Sequence, residues 1–267
     1  TRILDLEYLD EITLLMVEEV YRERFADASD FFFVIVGNME AAEVQTLARR
    51  YIGAIPDLDR EEQWIDRKVN EPEGVVKKTI PLALETPKAN VNVIINNPVE
   101  YNPRNRVIMM VIDGILELRY DETIREEESG TYGVSAGVSL NRWPKEKATI
   151  QMSFDCDPEK AEELKSIIYR ELEKLAGDGP TAEDLGKTVE NLLKKREENK
   201  EHNSYYLNTI YSYYLHGINF DDPANYEEIL KDLSTKDVKK VMKRFYKDPN
   251  IVDVVFVPLE TEEAPAE

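Results

Sequence analysis

Apolar and polar positions along the chain follow two periods. From Leu4 to Phe25 the apolar residues recur at helical spacing, and Phe31-Phe32-Phe33-Val34-Ile35-Val36 is a short apolar run of the kind that forms a buried strand. Gly37-Asn38 ends that run, and Ala41 to Tyr51 forms a second amphipathic helix. Val75–Leu82 and Ala89–Asn96 then predict strands, the second alternating through Val91, Val93 and Ile95. Asn102-Pro103 supplies an N-cap and a proline at the first helical position. The helix it opens carries Val107, Met110, Val111, Ile115 and Leu118, widened by Ile108, Met109 and Ile112 until it is buried nearly all round. Tyr132–Leu140 and Thr149–Cys156 read as strands joined through Asn141-Arg142-Trp143-Pro144. Asp157-Pro158 opens a helix with Ala161, Leu164, Ile167, Ile168, Leu172 and Leu175 on one face, and Gly177-Asp178-Gly179-Pro180 breaks it. Thr181 with Asp184 forms a capping box for a long helical stretch reaching about Gly217. Two helices capped by Asp222-Pro223 and by Ser234 with Asp237 precede a last strand, Ile251–Val257. Strands followed by helices on one face of a mixed or antiparallel sheet make an α+β protein.

Between these runs the chain changes character from Pro56 to Gly74, where Asp57, Asp59, Glu61, Glu62, Asp66, Glu71 and Glu73 surround an isolated Trp64. That is the composition of a solvated linker. The expected division is residues 1–56 as the helix-strand-helix end of a preceding unit, 57–74 as linker, 75–258 as an α+β unit and 259–267 as a disordered acidic tail. An internal echo supports it. Shifted by 221 residues, Ile12–Val36 lies on Leu233–Val257, so that Val17 meets Val238, Val20 meets Val241, Asp27 meets Asp248 and Phe33-Val34-Ile35 meets Val254-Val255-Phe256. Any helix–turn–strand pair would align in part, and the repeat reading competes with that.

Composition narrows the function classes. With 34 basic and 54 acidic side chains among 267 residues the formal charge is −20, which argues against nucleic acid, because phosphate contacts need clustered Lys and Arg. The single cysteine, Cys156, allows no internal disulfide and no Cys-based zinc site, and follows a strand as a buried structural thiol would. No apolar run approaches the ~18–20 residues of a membrane span, so no membrane insertion is expected. The chain opens on Thr1 and enters a helical pattern almost at once, which reads as something cut from a longer protein.

Two motifs are decoys. A zincin helix needs His-x-x-Glu-His, but Glu201-His202 is preceded by Glu198 at the first ligand position, and the second histidine, His216, is fourteen residues on. Gly186-Lys187-Thr188 mimics the end of a phosphate loop, yet Thr181 replaces the first glycine and the triplet falls inside a capped helix. Tyr205, Tyr206, Tyr211, Tyr213 and Tyr214 read as helix packing with a few exposed phenols, with a peptide-binding wall as the alternative. The remaining stretch, Arg125 to Tyr132, carries a guanidinium and a phenol on either side of a glycine turn. They are able to converge on one carbonyl or oxyanion, although chemistry alone favours Arg125 pairing with Glu126–Glu128 and Tyr132 packing.

Residues 22–31 (Arg-Glu-Arg-Phe-Ala-Asp-Ala-Ser-Asp-Phe), Val36-Gly37-Asn38, Ile124-Arg125-Glu126-Glu127 with Gly130-Thr131-Tyr132-Gly133-Val134, and Cys156-Asp157-Pro158-Glu159 together resemble the pitrilysin/insulinase zinc peptidases, in the C-terminal part of their long bacterial members. The resemblance covers nearly the whole chain. It implies a repeat unit of the LuxS/mitochondrial-processing-peptidase-like metallohydrolase type, with the zinc motif in another unit and the C-terminal half closing over it. It also implies that Arg125 and Tyr132, seven positions apart as in the family, reach the substrate beside the zinc. On this reading the chain binds no cofactor itself, zinc belongs to the intact enzyme, and the chain alone does not hydrolyse peptides. Its partners are an N-terminal zinc-bearing half, on the same or another polypeptide, and a peptide substrate. Its compartment is the bacterial periplasm or cell envelope. The alternative is a free-standing scaffold or peptide-binding subunit that pairs with a separate zinc-bearing chain.

Overall fold

A computed structural model describes residues 5–84, 86–127 and 135–259, the side chains of 121 and 124–127 excepted. The chain divides into two compact units, residues 1–69 and 70–267. In the first unit, α1 (Leu6–Glu11) is capped by Asp5, α2 (Leu14–Phe25) by the Thr13 hydroxyl, which accepts from the Met16 amide, and α3 is Ala41–Tyr51. Among its described residues only Asp27 is buried. That carboxylate accepts from the amides of Ser29, Leu58 and Arg60 and from Arg60 Nε, at 2.8 to 3.3 Å. Those backbone donors, led by the Leu58 amide, hold its carboxyl far below the ordinary carboxylate range.

Here the structure corrects the pattern reading. Residues 31–36 form no strand, and Phe32, Phe33 and Ile35 are exposed. An apolar run becomes a strand only where neighbouring backbones satisfy its N–H and C=O groups, and no strand is present among the described residues of this unit.

The second unit is built on a five-stranded sheet of β1 (Val75–Leu82), β2 (Ala89–Asn97), β3 (Ser135–Asn141), β4 (Lys147–Cys156) and β5 (Asn250–Pro258), in the order β1-β5-β2-β4-β3. β1 and β5 are parallel and the other pairs antiparallel, and the last strand of the chain enters the sheet between β1 and β2. The alternation read in β2 is the buried face: Val91 pairs with Phe154 and Val255, Val93 with Met152, and Ile95 with Ile150 and Ile251. Against this face lie α4 (Pro103–Glu127), α5 (Ala161–Gly177) and α9 (Thr235–Phe245), all sharing one core. Every apolar residue expected on the inner face of α5 is buried. Asn102 caps α4 by accepting from the Asn105 amide at 2.8 Å, and both capping boxes, Thr181 with Asp184 and Ser234 with Asp237, are formed.

The long helix expected from Thr181 to Gly217 is two helices, α6 (Ala182–Asn199) and α7 (Asn203–His216), with His202 extended between them. No Gly or Pro marks the break. It falls where Arg196 donates to Glu227 Oε1 at 2.8 Å and to the Phe220 carbonyl at 2.9 Å, drawing the end of α6 toward the segment that leads into α8 (Glu227–Asp232). Gly217 ends α7 in the left-handed region, which favours glycine.

Candidate functional site

Arg125 lies in the last turn of α4, with its side chain outside the described residues, and Tyr132 falls wholly outside them. The structure does describe what holds the two ends of this segment. At the α4 end, Arg119 donates to Asp184 Oδ2 at 3.1 and 3.3 Å and approaches Glu171 Oε2 at 3.7 Å, tying α4 to α6 and α5. At the other end, the Val138 amide of β3 donates to Asp113 Oδ1 of α4 at 2.9 Å. Burial raises the Asp113 carboxyl above its usual range, partly offset by this bond. β3 is an edge strand, and its outward face joins that of β4 in an open polar trough through Ser135, Ser139, Thr149, Gln151 and Ser153. Segment 128–134 therefore connects an anchored helix to the rim of an open sheet face.

Other charged groups serve the core. Lys165, Tyr169 and Asp253 meet beneath the sheet, with Lys165 Nζ 3.1 Å from Asp253 Oδ1 and Tyr169 Oη donating to Oδ2 at 3.0 Å. Burial by itself pulls the Lys165 ammonium down, but Glu162 and Asp253 hold it above its usual value. Cys156 is buried as expected, and burial pushes its thiol up to about 11, which leaves it inert.

The tyrosine cluster departs from helix packing. No α7 residue is buried, and Tyr206, Tyr211, Tyr213 and Tyr214 are exposed together with Leu207 and Ile210. The polar residues Ser204, Asn208 and Ser212 instead line a cavity of about 360 Å³ between α7, α6 and the start of α4. Arg106, Lys195, Arg196 and Tyr205 share that lining. No pattern in the sequence marked this cavity, because its residues come from separate helices and the α6–α7 break that opens it has no breaker residue.

None of this arrangement fits a zinc ion. His202 stands at the start of α7, the His216 ring lies against Tyr101 with centroids 4.7 Å apart, and Cys156 is buried in β4. Among the described residues no three His, Cys, Asp or Glu side chains are grouped to hold a metal, and no helix is long and apolar enough to cross a membrane.

The fold is shared by the crystal structure of the peptidase M16 inactive domain from Pseudomonas fluorescens, with a TM-score of 0.73 at 16% identity over 97% of this chain and 61% of that one. A family described as the peptidase M16 inactive domain matches residues 11–192, and the chain belongs to that family. It is 26% identical over 268 aligned positions to a protein named "Probable zinc protease PqqL" in Escherichia coli, an alignment covering 93% of this chain and 27% of that protein. The chain thus spans about a quarter of that relative's length. The crystal structure of the periplasmic protease PqqL from Escherichia coli superposes with a TM-score of 0.75 at 22% identity, over 97% of this chain and 28% of that one. The structure of the first half of PqqL also matches, with a TM-score of 0.64 at 13% identity over 84% of this chain and 50% of that one. The first half of that protease therefore shares the fold seen here.

Proposed function

We propose that this chain is the non-catalytic C-terminal part of a zinc metalloendopeptidase, closing the substrate chamber and contacting the peptide beside a zinc site carried on another part of the enzyme. The observation that carries the reading is the family match over residues 11–192, which spans both Arg125 and Tyr132. In the intact enzyme the metal and its water come from the N-terminal half, and two donors come from this chain. The Arg125 guanidinium orients the peptide with a planar fork suited to a carbonyl or carboxylate. The Tyr132 hydroxyl donates a hydrogen bond to the carbonyl oxygen as negative charge develops there. The anchoring of α4 through Arg119 and of β3 through Asp113 supports this role, since a donor of this kind acts only if its scaffold is rigid. The periplasmic location described for the Escherichia coli relative supports the same compartment here.

In the intact enzyme, Tyr132→Phe should lower kcat by about 10- to 1,000-fold, with KM and zinc content nearly unchanged. Turnover equal to the parent enzyme would remove Tyr132 from the mechanism. The coding sequence upstream of Thr1 tests the architecture. An open frame carrying His-x-x-Glu-His supports one polypeptide, whereas a start codon close by supports a subunit that pairs with a separate zinc-bearing chain.

A further inference from the structure

The cavity beneath α7 has a charge balance opposite to that of the protein. Arg106, in the first turns of α4, is half-buried, and its guanidinium carbon sits 3.9 Å from the centroid of the buried Phe220 ring. No carboxylate among the described residues pairs with it, and the groups that influence it are Tyr101, Tyr226 and Arg196. Its neighbour Arg196 is different: it is buried, bonded to Glu227 and the Phe220 carbonyl, and 3.8 Å from Asp221. Lys195 adds a second cation to the cavity lining, also without an ion pair to any described residue. A half-buried guanidinium with no counter-ion is costly, and stacking on one aromatic ring offsets only part of that cost. Around it, Ser204, Asn208 and Ser212 present hydroxyl and amide donors, and none of their side chains has a hydrogen-bond partner among the described residues. The α7 residues that are only partly exposed are Tyr205, Thr209, Ser212 and His216, while Tyr206, Leu207, Ile210, Tyr211, Tyr213 and Tyr214 are exposed.

We propose that this cavity binds a carboxylate carried by a peptide, with Arg106 as the planar fork that receives it. The ~360 Å³ space is far larger than an inorganic ion fills, since one water occupies roughly 30 Å³ of liquid. Met110 and Leu192 give it an apolar wall for the residue that bears the charge. Lys195 supplies the second cation and the α7 side chains the remaining donors. A C-terminal carboxylate and an Asp or Glu side chain present the same chemistry. The carboxylate chemistry rests on Arg106, the peptide as its carrier rests on the peptidase reading, and binding is read on this chain itself.

Calorimetric titration of the full chain tests it with acetyl-Ala-Ala-Phe as free acid, the same peptide as its amide, acetyl-Ala-Glu-Phe-amide and inorganic phosphate. The free acid should bind at least about tenfold more tightly than its amide, and Arg106→Gln should abolish that difference. Lys195→Gln, at an exposed position, should weaken the acid by about threefold and covers the case in which the Arg106 variant does not fold. Tight binding of the glutamyl amide assigns the site to acidic side chains as well; weak binding assigns it to chain ends. Equal binding of acid and amide overturns the proposal. So does a folded Arg106→Gln protein that still discriminates, or, if that variant does not fold, a Lys195→Gln protein that binds the acid as the parent does. Phosphate that binds as tightly as the peptide acid would make this an inorganic-anion site and overturn it too.

Discussion

Helices α2 and α9 lie 221 positions apart and both begin on a hydroxyl cap. The Thr13 hydroxyl caps one and the Ser234 hydroxyl the other, each accepting from the amide three residues on. Their surroundings then diverge. Val238, Met242 and Phe245 of α9 are fully buried, and the strand that follows, β5, is hydrogen-bonded on both sides. Val17, at the position of Val238, is 52% exposed against 0%, Tyr21 stands exposed at the position of Met242, and residues 31–36 make no ladder. Two segments with one pattern thus reach different states. A helix closes its hydrogen bonds within itself and needs only its cap, whereas a strand and an apolar stripe need a partner surface.

That comparison can be broken at matched positions. The largest effect is expected at Asp253, whose counterpart is Phe32. Asp253→Ala leaves the buried Lys165 ammonium with only the exposed Glu162, and should cost about 3–5 kcal/mol in urea unfolding, while Phe32→Ala should change stability by less than about 0.5 kcal/mol. A similar loss from both would show that residues 31–36 are held as firmly as β5. Next, Met242→Ala should cost about 2–5 kcal/mol by opening a cavity in the core. Its counterpart Tyr21→Ala removes only a stacked contact with Phe25, 4.7 Å between ring centroids, and should cost less than about 1 kcal/mol.

The smallest effect concerns pH and the turn after each helix. Asp27 is buried and bonded to the Leu58 and Arg60 amides, whereas Asp248 at the matching position is exposed in the left-handed region. Because the native Asp27 carboxyl is depressed, its contribution is complete above the ordinary value of about 3.9 and is lost as pH falls through the native one. Amide exchange at Leu58 and Arg60 should therefore stay slow from neutral pH down to about 4, after allowance for intrinsic rates, and rise below it. In Asp27→Asn it should be fast at neutral pH. Unchanged exchange in the variant would show that the backbone alone holds this turn.

How much of this was legible depended on the range of the interaction. The Asn102 cap, both capping boxes, the alternation in β2 and the inner face of α5 were readable because each is set by residues within a turn or two of one another. So was the buried state of Cys156. Arg125 and Tyr132 came from the family resemblance rather than from spacing, and their side chains lie outside the described residues. The α6–α7 break was not readable, since no Gly or Pro marks it and the partner of Arg196 near the end of α6 is a carboxylate thirty-one positions away. Nor was the Arg106 cavity, whose lining is drawn from three helices and the segments around α8.

The sequence by itself determined the capped starts of α4, α6 and α9 and the apolar faces of β2 and α5, because those depend on local hydrogen bonding and side-chain type. Tertiary structure alone decided that β5 enters the sheet between β1 and β2 while residues 31–36 form no strand, that the apolar residues of α7 are exposed, and that Arg106 has no counter-ion among the described residues. Each of those outcomes depends on which distant surface lies alongside, and burial and pairing are properties of the two surfaces together.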